Sequence, residues 1–188
     1  MSHEHNENNA SWRINGNPLV VKRTSTFPCE HEIHVPRTNE SFLFKGTPTY
    51  HDESLGKRRG PNTVFRWSMD HMRVCFLGDL GHVLDDKQAA AIGHSDILFI
   101  PIGGKGITIG PKEATIVIDQ LQPLYIIPMT YKHPAISWDV EQLDTFLVQM
   151  SQVEYLKKDC LEFSSHPSIT KVVVFQLPNE LLEKQQGG

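Results

Sequence analysis

The chain has 188 residues, 39% of them apolar and 21% charged, a size and balance that fit one domain with its own core and exclude a disordered, collagen-like or coiled-coil protein. Lys and Arg number 18 against 22 Asp and Glu, a formal charge of −4 with histidines neutral, and no long block of like charge offers the footprint that DNA or an anionic membrane needs. No run is long and apolar enough to span a bilayer, and the opening MSHEHNENNA lacks a signal-peptide layout, so a cytoplasmic protein with no nucleic-acid or membrane partner is expected.

In chain order, Pro18 to Lys22 and Ser41 to Lys45 read as short strands, with a charged, His-bearing loop expected between them. The stretch Gly46 to Asn62, which contains Lys57, Arg58 and Arg59, is expected to be loop or turns. Thr63 to Trp67 and Arg73 to Leu77 alternate as strands joined by a hairpin around Met69 to His71. Asp85 or Asp86 then caps a helix running through Ile92. Ser95 to Ile102 is a continuous apolar run, the pattern of a strand buried on both faces, and Gly103, Gly104 and Gly106 end it. Pro111 suits the first position of a helix through Leu121, and Leu124 to Met129 is a second buried strand. From Trp138 to Gln149 the spacing of Val140, Leu143, Phe146 and Leu147 predicts an amphipathic helix. Thr170 to Leu177 predicts a last strand. Interleaved strands and helices make an α/β protein with a layered sheet core, one domain over 1–188.

Cys29, Cys75 and Cys160 are too scattered for a disulfide framework or a metal knuckle, and Cys75 reads as packing. The ten histidines are the compositional excess. His3 and His5, with Glu7 and Asn8 behind them, could bring two imidazoles to one ion, a donor set suited to zinc, manganese or iron; the same residues could be no more than a polar terminus. His51 and Asp52 sit in a loop after a strand, as do Asp79 and His82. Each could be a ligand, a surface histidine or a turn former; His82 could orient Asp79 or a water, but reads better as a capping or structural histidine. His133, in PMTYKHP, could be a ligand or a surface histidine. Lys57, Arg58 and Arg59 could draw an anionic substrate, although such a run is usually a solvated loop.

The stretches TYHDESLGKRRGPNTVF, FLGDLGHVL, DILFIPIGG with TIGPKEA, and YIIPMTYK cover most of Thr47 to Lys132. Together with the HxHxE order at the start, they resemble the metallo-β-lactamase superfamily, specifically its ascorbate-lactonase-like branch of metal-dependent hydrolases. The resemblance implies a four-layer αβ/βα sandwich whose strand-end loops hold one or two metals. It makes His3, His5 and His51 ligands of the first metal and Asp79 a bridge toward a second, with His133 a further candidate ligand. Asp79 and Glu7 would be the catalytic carboxylates, Glu7 as proton acceptor. The implied activity is attack by metal-activated water on an ester, lactone, amide or phosphoester of a small-molecule substrate.

Three departures shape the expectation. Glu7 and Asn8 stand where the family completes HxHxDH, and Thr130 stands where a histidine follows Pro-Met. The sequence also opens at the motif, so the first N-terminal strands of the sandwich are expected to be missing. One ion, zinc or else manganese or iron, is therefore expected rather than two, and an open sheet edge would favour a homo-oligomer. The alternatives are a non-catalytic relative that keeps the fold and at most one metal, and a metal-free binding module using the same cleft.

Overall fold

The computed structural model describes residues 10–14, 17–21, 28–35, 40–134, 137–157, 167 and 169–175. Strands β1 (Ala10–Ile14) and β2 (Asn17–Val21) pair with each other antiparallel, apart from the main sheet. The main sheet contains β3 (Cys29–Val35), β4 (Glu40–Tyr50), β5 (Pro61–Met69), β6 (Met72–Phe76), β7 (Ile97–Pro101), β8 (Tyr125–Met129), β9 (Val153–Leu156) and β10 (Lys171–Phe175). Their order is β3-β4-β5-β6-β7-β8-β10-β9. The pairings from β3 to β6 are antiparallel and those from β6 onward parallel. The helices are α1 (Asp86–Ile92), α2 (Pro111–Leu121) and α3 (Leu143–Leu147). This is the expected α/β class. Among the described residues no helix is long and apolar enough to cross a membrane.

Alternation along the strands makes two apolar faces. Leu98, Ile126, Val172 and Val174 join Ile92 of α1, Leu121 of α2 and Phe146 of α3 in one core, while Ile97, Ile127 and Val173 fill the opposite side. That is why the central strands read as unbroken apolar runs. The hairpin between β5 and β6 turns on Asp70 and His71 at φ 49° and 65°, the left-handed pair of a two-residue connection. Asp85, rather than Asp86, caps α1: its carboxylate accepts the Gln88 N–H at 2.7 Å and the Gln88 side chain accepts the Asp85 N–H at 3.1 Å.

Three expectations are corrected. The His-bearing loop is strand β3, in which Cys29, His31 and Ile33 are half-buried and Glu30 and Glu32 exposed; histidine at an inward position conceals the two-residue period. Within Gly46 to Asn62 the loop is confined to residues 51–60, because β4 continues to Tyr50 and β5 starts at Pro61. Gly46 serves close strand packing, since a Cβ there would sit 2.5 Å from Cys29 Sγ. The helix expected over Trp138 to Gln149 shrinks to α3. Ahead of it, Glu141 donates its N–H to Gly103 O and accepts from the Lys132 N–H, both at 2.8 Å, so its backbone is committed to neighbouring loops.

Two antiparallel steps, from β4 through β5 to β6, leave β4 running parallel with β6, β7 and β8. The loops after Tyr50, Phe76, Pro101 and Met129 therefore emerge at one end of the sheet.

Candidate functional site

The loop after β4 closes through the His51 N–H, which donates to Gly60 O at 3.0 Å. Asp52 organises its interior. Oδ1 accepts the N–H groups of Ser54 (2.8 Å) and Gly56 (3.1 Å), and Oδ2 those of Arg58 (3.0 Å) and Arg59 (2.7 Å). Burial would push this carboxyl up, but the four N–H donors outweigh it and hold it below the usual carboxylate range. Both oxygens are taken up in building the loop.

The loop after β6 is set by Asn62, which is buried in β5. Its amide donates to Thr49 Oγ1 (2.8 Å) and Leu77 O (2.9 Å), and its oxygen accepts the Asp79 N–H (3.2 Å). Gly78 turns the chain at φ 60°. Two residues past Asp79, the Gly81 N–H donates to Tyr50 O at 3.0 Å, and a Cβ on Gly81 would overlap the His51 carbonyl. His82 completes the join. Its Nε2 can only accept from the Tyr50 N–H (3.1 Å), so the hydrogen lies on Nδ1, 2.7 Å from Val83 O. His82 is a positioning residue that fastens the His51 loop to the Asp79 loop.

His51 is the anomaly of this arrangement. Its Nε2 is shut off from solvent and has no hydrogen-bond partner among the described residues. Beside it lies a cleft of about 770 Å³, lined by His51, Gly81, the Gly104 to Glu113 region and Glu141. At the end of β8, Thr130 adopts φ 57°, a conformation rare for a β-branched residue, and Gly103 packs so close that a Cβ would lie 2.7 Å from Thr130 O. His133 follows three residues later, beyond the Lys132 N–H that is tied to Glu141.

The fold thus sets His51 and Asp79 on adjoining loops at one end of the sheet, with His133 on the segment after β8 at that same end. Among the described residues no three His, Cys, Asp or Glu side chains form a metal-holding cluster. His3, His5, Glu7 and Asn8, like Cys160, lie outside the described residues. Lys57 is exposed and is not part of the cleft wall. Sequence reasoning missed Asn62 and Gly81 as positioning residues. It weighed Asp52 only as a donor, although an Asp followed by Ser54, Gly56 and Gly60 carries the signal of an Asx-type loop.

The family model of the β-lactamase superfamily domain matches residues 1–130, and the chain belongs to that family. Among its relatives is a metal-dependent hydrolase of Carboxydothermus hydrogenoformans, 36% identical over 117 residues, which are 58% of this chain and 51% of that protein. Another, from Pyrococcus furiosus, is 31% identical over 114 residues, 58% of this chain and 50% of that one. This chain spans about half the length of these relatives. A crystal structure from Thermotoga maritima, assigned to the Zn-dependent hydrolases of the metallo-β-lactamase superfamily, superposes with a TM-score of 0.63 at 36% identity, covering 77% of this chain and 68% of that one. The fold is that of the metallo-β-lactamases.

Proposed function

We propose that this chain is a metal-dependent hydrolase of the metallo-β-lactamase type, cleaving an ester, lactone, amide or phosphoester bond in a small molecule. One observation carries the reading: His51 presents a buried, unpartnered imidazole nitrogen at the wall of the cleft. A polar atom in that state is costly unless something takes it up, and a neutral imidazole lone pair suits a transition-metal ion. His51 and the neighbouring Asp79 fit the donor chemistry of such an ion, and His3 and His5 would complete the set. The relatives named metal-dependent hydrolases support the same reading.

Zinc, or manganese or iron in its place, supplies the Lewis acidity that lets water ionise at a pH of about 7. The chain's own residues do the rest. Asn62 holds the Asp79 backbone, His82 and Gly81 hold the His51 loop against it, and Glu7 is the candidate proton acceptor. Thr130 offers a hydroxyl where the resemblance places an imidazole, which favours one ion over two.

The test is metal content by plasma mass spectrometry on chelator-free protein, paired with a hydrolysis screen over esters, lactones and phosphodiesters. About one equivalent per chain is expected, lost together with turnover in His51→Ala while the circular dichroism spectrum stays unchanged. A folded wild type without metal, or undiminished turnover in His51→Ala, overturns the proposal. Metal without turnover on any substrate favours the non-catalytic relative.

A further inference from the structure

Four cations and four carboxylates line the cleft beside His51, Arg58, Arg59, Lys105 and Lys112 against Asp52, Glu53, Glu113 and Glu141, and they differ in how far each is engaged by the protein itself. Lys105 Nζ lies 2.5 Å from Asp139 Oδ1 and also feels the charge of Glu141. Glu113 Oε2 accepts the Gly110 N–H at 3.1 Å at the start of α2, and the Asp52 carboxylate is consumed by its four N–H donors. Unlike Lys105, the cations Arg58, Arg59 and Lys112 stand on the wall without such a pairing, and Glu53 and Glu141 share the wall with them. Among the described residues none of those three cations has an ion-pair partner.

Each arginine guanidinium is a planar fork that can take carboxylate or phosphate oxygens two at a time, and a volume of about 770 Å³ suits a metabolite-sized ligand. The loop that carries the two arginines is fixed before any ligand arrives. Asp52 grips Arg58 and Arg59 only through their backbone N–H groups, so their side chains have no part in building it. Building on the hydrolase reading, we infer that the substrate is a small molecule bearing a carboxylate or phosphate group, which Arg58 and Arg59 bind so that the scissile bond lies toward His51.

Because any residue but proline supplies the N–H that Asp52 needs, the arginine side chains can be replaced without dismantling the loop. The test compares wild type, the double variant Arg58→Gln with Arg59→Gln, the double lysine variant, and Lys57→Gln as a control that removes one positive charge of the same loop outside the cleft wall. Binding of succinate and of inorganic phosphate is measured by calorimetry on the metal-loaded chain. Hydrolysis of 4-nitrophenyl monosuccinate is compared with that of neutral 4-nitrophenyl acetate.

The expected result is anion binding by wild type, weakened on the order of tenfold or more in the glutamine double variant, partly kept by lysine and unchanged in Lys57→Gln. The tighter of the two anions identifies the group recognised. The preference for the succinate ester falls with binding. Failure of folded wild type to bind either anion, or equal binding by the glutamine variant, overturns the inference. Arginine-dependent binding without cleavage of any ester, lactone, amide or phosphoester in the hydrolysis screen refutes the hydrolase reading alone.

Discussion

Gly81 rests against the backbone of His51 with no room for a methyl group: a Cβ at position 81 would overlap the His51 carbonyl and come within 2.5 Å of the Asp52 nitrogen. The Gly81 N–H completes the contact by donating to Tyr50 O at 3.0 Å. Glycine is required here for approach, since backbone on both sides leaves nothing flexible to yield. Gly81→Ala is therefore expected to cost about 2 kcal/mol, lowering Tm by roughly 4–8 °C, and to release metal by displacing His51. Calorimetric melting with metal analysis checks both, and an alanine variant as stable as wild type would show that the loops part easily.

Asn62→Leu preserves volume but strands three partners: the buried Thr49 Oγ1 and Leu77 O, and the half-buried Asp79 N–H. A loss of about 2–4 kcal/mol in urea unfolding is expected. Weaker metal retention should accompany it, because Asp79 loses its backbone anchor. Equal stability would mean that water replaces the amide.

The Asp52 carboxyl is held below the usual carboxylate range, so it binds fewer protons folded than unfolded at acid pH. Its contribution to stability is complete above the ordinary aspartate pKa and drains away as pH falls through that value toward the lowered native one. The Tm difference between wild type and Asp52→Asn should be constant from neutral pH down to the carboxylate range, then shrink with further acidification. A difference independent of pH throughout would detach the effect from the charge.

Cys75 is fully buried, and that burial pushes its thiol up to about 12 despite a hydrogen bond with Ser95 and the charge of Arg66. Since the thiolate is the reactive form, iodoacetamide at mildly alkaline pH should leave Cys75 untouched in the folded chain and alkylate it in urea. Peptide mass mapping reads this out, and labelling of the native protein would require an opening motion at the centre of the sheet.

The central strands and helices were legible because burial leaves a plain mark: Leu98 and Ile126 face one core while Ile97 and Ile127 face the other, and Asp85 and Pro111 mark helix starts. Strand β3 was not, because a histidine, His31, stands at an inward position between Cys29 and Ile33, and β9 was not, because Val153, Glu154 and Tyr155 are all exposed and give no alternation. The length of α3 was misread where Glu141 spends its backbone on Gly103 and Lys132, a long-range pairing invisible to periodicity. His51 and Asp79 were readable as donors after strands. Their supports were not, since Asn62 and Gly81 act through residues far along the chain, whereas Asp52 acts within its own loop.

Asp52 draws all four of its donors from the seven residues that follow it, so that turn can close as soon as the chain is made. The seam between Tyr50 and Gly81 joins residues some thirty positions apart and waits for the sheet. Assembly therefore has a built-in sequence: the arginine-bearing loop takes shape early, and the wall containing His51 is finished only when distant strands have registered. A partly folded chain would carry the loop without the cleft, so a ligand of the cleft selects the completed molecule and stabilises it by mass action.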